Sequence, residues 1–181
     1  GVHVPPLGMI DDVITVTSVD QTSNMNKIVN TFMEHKNLKL SVTKCHRIHI
    51  GIGHEKCPKI KVHDEQMKDS ESAKYLGDII HTDGTMQATI ENRQKKGEGI
   101  IAEILSIINE IPLGKHKTEV ALKLREAMLL NGILFNSEAW HGVTDAQIVK
   151  LEQIDEALIR GILKAHSKTP KEFLYLETGC T

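Results

Sequence analysis

The sequence predicts an α+β protein in which a small mixed domain precedes a helical bundle. Up to Gly84, most apolar stretches are short and rich in β-branched residues, as in strands, and one stretch with helical spacing lies among them. After Gly84, the apolar residues recur with a period of about 3.6 residues, which is typical of helices. We therefore expect one domain over residues 1–84 and a second, helical domain over residues 85–181.

The predicted elements of the first domain are short strands around one helix. Residues 2–7 and 13–17 are apolar and β-branched on either side of residues 8–12, which predicts a β-hairpin. Ser23 can cap a helix whose apolar residues keep helical spacing over residues 25–33. Further strand patterns and one polar loop follow, the strands at residues 38–40, 45–52, 59–63 and 74–80 and the loop at residues 64–72.

Four helices are predicted in the second domain. The first covers residues 86–110, although Gly97 and Gly99 weaken its middle, and the second covers residues 118–138. Capping boxes open the other two, at residues 144–147 and at residues 169–172, where Pro170 takes the first helical position.

Composition excludes several classes of protein. Apolar residues make up 40% of the chain and charged residues 25%, which excludes a disordered or collagen-like chain. No apolar stretch is long enough to predict a membrane span. Three cysteines do not predict a disulfide framework, so we expect an intracellular protein, nuclear or cytoplasmic and not secreted. Because the chain opens inside an apolar run without a leader, we expect it to be part of a longer protein.

Positive charge is concentrated in one stretch. Residues 36–68 carry eight Lys or Arg and three acidic residues, a net charge of +5, whereas residues 69–181 carry 13 basic and 17 acidic residues. This asymmetry predicts a face that meets a polyanion. A solvated surface loop is the alternative interpretation.

Asp11 and Asp12 are the first candidate site. Adjacent carboxylates repel each other unless a cation neutralises them, and Mg²⁺ prefers such oxygen ligands together with substrate phosphate. A pair of these ions can activate a hydroxyl and stabilise a leaving oxygen in phosphoryl transfer. The alternative is that the two aspartates are ordinary turn residues.

Lys44 and a nearby group of soft ligands are the other candidates. Lys44 could neutralise a polyphosphate or donate a proton to the leaving group, or it could be a solvated surface lysine. Histidines and cysteines over 19 residues could suggest zinc, but no pair has Cys-x₂-Cys spacing, and incidental polar positions are the alternative. In a continuous strand, His46 and His49 would point to opposite faces. The full group is Cys45, His46, His49, His54, Cys57 and His63.

Several segments resemble a known family when they are taken in chain order. Residues 9–12 read Met-Ile-Asp-Asp, residues 38–45 end in Thr-Lys-Cys, and residues 74–80 read Lys-Tyr-Leu-Gly-Asp-Ile-Ile. Asn-Gly-Ile-Leu at 131–134 and Glu-Ala-Trp at 138–140 come later. This order resembles the C-terminal part of a reverse transcriptase of the non-LTR (LINE-type) retrotransposons, an RNA-directed DNA polymerase, and the likeness runs essentially end to end.

The resemblance implies the architecture and the metal chemistry. Residues 1–84 would be a partial polymerase palm, with an Asp-Asp hairpin, a packed helix and a primer-grip hairpin, and residues 85–181 would be a thumb. Asp11 would be a catalytic metal ligand and Asp12 its supporting neighbour. The parental enzyme, a nucleotidyltransferase, would use Mg²⁺ or Mn²⁺.

The resemblance also implies roles in holding substrate. Lys44 would be the general acid for the departing pyrophosphate, and Tyr75, Leu76 and Gly77 would position the primer terminus. The expected partners are an RNA template and a DNA primer, as an RNA–DNA duplex that the thumb grips by its backbone, and the fingers and remaining palm of the same polyprotein. No membrane partner is expected.

Two departures from the family pattern bear on activity. Met9 stands where the family has Phe or Tyr, and the family's other metal-binding aspartate falls upstream of Gly1, with the fingers. We therefore expect the isolated chain to be a fragment without polymerase activity. The alternatives are a non-catalytic nucleic-acid-binding module derived from such an element and a protein-interaction module built on the helical half.

Overall fold

The structure is a computed structural model of the 181-residue chain. It describes residues 7–9, 12–51, 59–62, 65–112 and 115–180. Residue contacts divide the chain into two units, Gly1–Thr85 and Met86–Thr181, which we call the mixed unit and the helical unit. Strands and helices are both present, so the predicted α+β class is confirmed.

The described strands of the mixed unit form four two-stranded sheets. β1 pairs with β2, β4 with β5 and β7 with β8, all antiparallel, whereas β3 and β6 are parallel. Each sheet is therefore a separate ribbon. The strands are β1 Leu7–Met9, β2 Asp12–Ile14, β3 His46–Arg47, β4 Lys61–Val62, β5 Glu65–Gln66, β6 Lys68–Asp69, β7 Ser72–Tyr75 and β8 Asp78–His81.

Several predicted strands differ from the observed ones. Residues 38–40 form no strand, because Asn37, at φ 54°, reverses the chain after the preceding helix and Leu38 N donates to Met33 O at 2.8 Å. Of the described part of the predicted strand 45–52, only β3 is strand, since the chain bends at Ile50 and Gly51 takes φ 73°. Ile52 lies outside the described residues. The predicted polar loop contains β5 and β6, and the predicted strand at residues 74–80 is a hairpin.

The helix of the mixed unit, α1, covers Thr22–His35. Met25 and Met33 are buried as the apolar spacing predicts, but Ile28 and Phe32 on the same stripe are 51% and 54% exposed. The predicted apolar face is therefore covered only in part by described residues. Side-chain amides position α1, because Asn26 donates to the carbonyl oxygen of Lys61 at 2.8 Å.

The helical unit contains two long helices and several short ones. Its elements are α2 Gln87–Glu110, α3 Lys115–Leu124, a π-helical segment Arg125–Leu130, α4 Asn131–Ile133, α5 Asp145–Leu163 and α6 Lys171–Thr178. The predicted helix over residues 118–138 is confirmed up to Ile133, because α3, the π-helical segment and α4 follow one another without a break. Its predicted last turn is wrong, because Asn136 takes a left-handed φ of 63°. The first and third predicted helices are confirmed by α2 and α5.

The two predicted capping boxes have different outcomes. At the start of α5, Thr144 Oγ1 accepts from Gln147 N, and Gln147 Oε1 accepts from Thr144 N at 2.9 Å, so this box is confirmed. Before α6 the N-cap is Pro170 in an extended conformation, and its side chain makes no cap. The capping box predicted at residues 169–172 is therefore absent, and α6 begins at Lys171, one residue later than predicted.

The core of the helical unit lies between α2 and α5. Gly97 is buried there, and a Cβ at this position would lie 2.7 Å from Ile154 Cγ2. The glycine permits close approach of the two helices. Buried apolar side chains include Ile90, Ile104, Ile108, Leu129, Ile133, Leu151, Ile154 and Leu158. Among the helices that the structure describes, none combines the length and the apolar character needed to cross a bilayer.

Candidate nucleic-acid interface

The two predicted catalytic aspartates belong to the β1–β2 ribbon. Met9 lies opposite Asp12, the first residue of β2, and Leu7 lies opposite Ile14, so a hairpin is confirmed here. Residues 8 and 9, which were predicted in the connection, belong to β1, and residues 2–6 lie outside the described residues. Asp11 and the side chain of Asp12 lie outside the described residues. Their catalytic and metal-binding roles therefore stay predictions.

A metal site cannot be assembled from the described donors alone. Among the described residues, no group of three or more His, Cys, Asp or Glu is placed to hold a metal ion. A pair of Mg²⁺ ions needs several carboxylate and phosphate oxygens around each ion. The described residues therefore supply no complete set of ligands for such ions.

Lys44 ends a short 3₁₀ turn, Val42–Lys44, and its side chain is exposed. The turn is closed by Lys44 N, which donates to Ser41 O at 2.9 Å, and by a 3.1 Å hydrogen bond between the Ser41 and Thr43 hydroxyls. No described carboxylate forms an ion pair with Lys44. This geometry fits both interpretations of Lys44, as a lysine that binds an anion and as a solvated surface lysine.

The histidines and cysteines of the predicted ligand group do not converge. His46 Nδ1 lies 2.9 Å from Ser70 Oγ, whereas His49 Nε2 lies 3.5 Å from Asp69 Oδ1. Cys45 is half-buried, and this burial raises the pKa of its thiol. His54, Cys57 and His63 lie outside the described residues. The described members thus make separate contacts within the β3–β6 region.

One cation of the basic stretch is structural. Arg47 is buried, and its Nε donates to Asp69 Oδ1 at 2.5 Å across the β3–β6 pair. The Arg47 hydrogen bond holds the pKa of Asp69 below its ordinary value. Arg47 therefore ties β3 to β6, and its charge is already neutralised by Asp69.

The other described cations of residues 36–68 are exposed lysines without a described carboxylate partner: Lys36, Lys39, Lys44, Lys59, Lys61 and Lys68. Such side chains can contact phosphate groups without first breaking an ion pair with a described carboxylate. Counted over the whole mixed unit, ten Lys or Arg face eleven Asp or Glu, and the helical unit carries twelve and thirteen. The positive charge is thus a property of this stretch and not of the unit.

The predicted primer-grip residues form the tip of the β7–β8 hairpin. Tyr75 and Asp78 are the closing pair, and the two residues between them, Leu76 and Gly77, have φ 47° and 92°. Two successive left-handed residues match a type I′ turn, which is usually built from Asn and Gly. A leucine in this conformation is strained by about 1–2 kcal/mol. Lys74, beside the tip, is exposed.

The exit of the hairpin is fixed by Asp83. Asp83 Oδ1 accepts a hydrogen bond from Thr85 N at 2.8 Å, and Asp83 N donates to His81 Nδ1 at 3.2 Å. The backbone hydrogen bond from Thr85 is the main cause of a lowered pKa at Asp83. These contacts close the turn that follows β8 and fix the exit of the hairpin.

Sequence reasoning missed a buried polar network in the helical unit. Arg125, the first residue of the π-helical segment, forms two hydrogen bonds to Asp155 of α5, and the Tyr175 hydroxyl lies 3.4 Å from Asp155 Oδ2. Burial, followed by the charge of Asp155, raises the pKa of Tyr175 to about 12. The available signal was the aspartate within the apolar stripe of α5, between Ile154 and Leu158.

A second missed residue is Arg93 of α2, which is fully buried. Its guanidinium donates to the carbonyl oxygens of Gly132 and Phe135 at 3.3 and 3.1 Å, and it lies 5.6 Å from the centre of the Phe135 ring. Arg93 therefore fixes the turn that ends α4. The available signal was its position, three residues after Ile90 and four before Gly97 on the buried stripe of α2.

Comparisons with protein families, with curated proteins and with solved structures give no match to this chain.

Proposed function

We propose that this chain is the back half of the palm and the thumb of a reverse transcriptase of the non-LTR retrotransposon type. In this proposal, the mixed unit holds the primer end of an RNA–DNA duplex. The observation that carries it is the strained turn at Leu76 and Gly77, in the segment that resembles a primer grip. Backbone strain of this kind persists where the surroundings impose it and is common at ligand-holding loops.

The shape of this turn suits contact with a nucleic-acid backbone. The turn has only two residues, Leu76 and Gly77, and Gly77 adds no side chain that would keep a phosphate or sugar away. Lys74 next to the turn and the exposed lysines of residues 36–68 supply charge for phosphate contacts. The lysines and the turn would both contact the nucleic-acid backbone, so binding would not depend on the base sequence.

The parental reaction would be template-directed nucleotidyl transfer with two metal ions. Bound Mg²⁺ or Mn²⁺ would supply charge stabilisation for the attacking and leaving oxygens, with Asp11 and Asp12 as its protein ligands. Lys44 would donate a proton to the departing pyrophosphate. Because the other metal-binding aspartate of the family has no counterpart in residues 1–181, we propose that these residues alone do not polymerise.

A paired assay tests both halves of this proposal. The purified chain is incubated with an RNA template annealed to a labelled DNA primer, in Mg²⁺ or Mn²⁺, and primer extension and duplex retention are measured on the same samples. We expect the duplex to be retained and the primer to stay unextended. Extension of the primer would contradict the proposed lack of polymerase activity. Failure of the chain to retain the duplex would contradict the proposal as a whole.

The second candidate function is a nucleic-acid-binding module without catalysis. The unengaged lysines favour it, since binding through them needs no metal. It predicts that duplex binding survives both a chelator and Asp11→Ala. It also predicts that a plot of log affinity against log salt concentration has a slope of about −0.9 for each contacted phosphate. Binding that requires Asp11 and a divalent ion would favour the polymerase proposal instead.

A further inference from the structure

The helical unit contains a cavity of about 410 Å³ that is open to solvent. It lies among α4, the turn that follows it, α5 and α6, and its wall is mostly apolar. The lining includes Ile133, Leu134, Trp140, Ile148, Leu151 and Tyr175. Ligand-binding pockets in proteins usually have volumes of about 300–1,000 Å³ and a similar apolar lining with few polar groups.

The wall of this cavity is held in place. Arg93 hydrogen-bonds to Gly132 and Phe135 on either side of Ile133 and Leu134, which line the cavity. Asp155 holds Tyr175 on the opposite side through their 3.4 Å contact. A rigid apolar wall loses little conformational freedom when a ligand binds.

Apolar side chains at the mouth of the cavity remain in contact with water. Leu134 is 44% exposed and Ile148 is 45% exposed, and no described residue covers them further. Exposed apolar groups around a concave site are typical of interaction surfaces. The adjoining π-helical segment is also a feature that is frequent at functional sites.

The charges at the cavity are all acidic. Glu152 and Asp155 are its charged lining residues, and Asp155 is neutralised by Arg125. Glu152 is exposed and forms no ion pair with any residue that the structure describes. The unpaired carboxylate would repel a nucleic-acid phosphate and would attract a cationic group.

We propose that this cavity docks an amphipathic helix of a partner protein, which inserts a large apolar side chain and places a lysine or arginine against Glu152. The apolar wall provides the burial that favours binding, and the unpaired Glu152 selects a basic partner. All of the lining residues belong to the helical unit, so this proposal does not rest on the duplex binding proposed for the mixed unit.

Trp140 allows the proposal to be tested directly. It is the only tryptophan of the chain and it lines the cavity, so its fluorescence reports occupancy. Three synthetic helical peptides serve as probes: one with leucines on one face and lysines on the other, one with those leucines replaced by alanine, and one with those lysines replaced by glutamate. We expect the first peptide alone to shift the Trp140 emission to shorter wavelength with saturation.

Matched variants of the full chain locate the binding. Ile148→Asp should abolish the shift, whereas Val149→Asp, at a neighbouring residue of similar exposure outside the lining, should leave it unchanged. Glu152→Gln should weaken binding by roughly two- to fivefold, as an exposed ion pair does. Glu103→Gln, on the exposed surface of α2, is its control.

Other outcomes would overturn the proposal. Equal binding of the glutamate peptide would remove the role of Glu152, and an unchanged shift in Ile148→Asp would place the peptide elsewhere. If Ile148→Asp loses its helical circular dichroism, Leu134→Asp replaces it as the test of the wall. Quenching of Trp140 by RNA–DNA duplex in competition with the peptide would assign the cavity to nucleic acid.

Discussion

Arg125 donates two parallel hydrogen bonds to Asp155, from Nε to Oδ1 at 2.5 Å and from Nη2 to Oδ2 at 2.7 Å. Both residues are buried, at 8% and 7% exposure. The pair joins the π-helical segment to α5, and the contact of Tyr175 with the same carboxylate adds α6. The hydrogen bonds to Asp155 also raise the pKa of Arg125.

Removal of one partner of this pair should destabilise the helical unit strongly. Arg125→Met leaves Asp155 as a buried, uncompensated charge, which typically costs about 3–5 kcal/mol in the free energy of unfolding. Urea denaturation followed by circular dichroism measures the change. The double variant Arg125→Met, Asp155→Leu removes both charges and should recover most of the loss. A single variant as stable as the wild type would show that the pair contributes nothing.

Two glycines of α2 should respond to alanine in opposite directions. At Gly97 a Cβ would lie 2.7 Å from Ile154 Cγ2. The overpacking should cost about 1–3 kcal/mol, which outweighs the better helix propensity of alanine. Gly97→Ala should therefore lower the free energy of unfolding. At Gly99 nothing lies within 4 Å of that position. Gly99→Ala should therefore stabilise the chain by about 1 kcal/mol.

Thermal denaturation of these two variants in parallel is the measurement. Because both change the same residue type in the same helix, the difference between them isolates the contacts at position 97 with Ile154 and Ile133. Equal shifts of Tm in the two variants would contradict the close packing of α2 on α5 at Gly97.

Leu76→Gly separates the effect on stability from the effect on duplex binding in the β7–β8 hairpin. Glycine adopts a φ of 47° without strain, so this variant should be more stable by about 1 kcal/mol. If Leu76 contacts the primer, the affinity of the Leu76→Gly variant for RNA–DNA duplex should fall at the same time. Gly77→Ala, at φ 92°, should instead be destabilised. A Leu76→Gly variant that gains stability and keeps full affinity would exclude a binding role for this side chain.

The tyrosine of the buried network gives a prediction for pH dependence. The pKa of Tyr175 is raised from 10.0 to about 12, so its neutral form is favoured in the folded state. The resulting stabilisation is fully present below pH 10 and is lost as pH rises through 12. The chain has two tyrosines, and the tyrosinate absorbance of Tyr175→Phe, subtracted from that of the wild type, should reveal a midpoint near 12. A midpoint near 10 would contradict the burial of Tyr175 together with its contact with Asp155.

Local patterns predicted the long elements well. The apolar period predicted α2 and α5 because each helix buries one continuous stripe, and Thr144 with Gln147 specified the start of α5. The β1–β2 hairpin was predictable from its β-branched flanks. In these elements the local preference and the tertiary packing agree.

Features set by tertiary packing were not predictable. Gly97 reads as a weak point of a helix, and only the approach of Ile154 gives it a packing role. The π-helical segment and the Arg125–Asp155 pair depend on contacts between residues far apart in sequence. In the candidate site, Tyr75, Leu76 and Gly77 were found by resemblance, whereas the left-handed conformation of Leu76 has no signal in a sequence that prefers strand there.

The central claim is that the β7–β8 hairpin holds the primer end of an RNA–DNA duplex. The most direct measurement is photo-cross-linking from a thiothymidine placed at the 3′ end of the DNA primer, followed by mass spectrometry of the cross-linked peptides. The account predicts cross-links within Ser72–Tyr75 and Asp78–His81 and the turn between them, reduced at high salt. Cross-links confined to Met86–Thr181, or none at a concentration at which the duplex is bound, would contradict it.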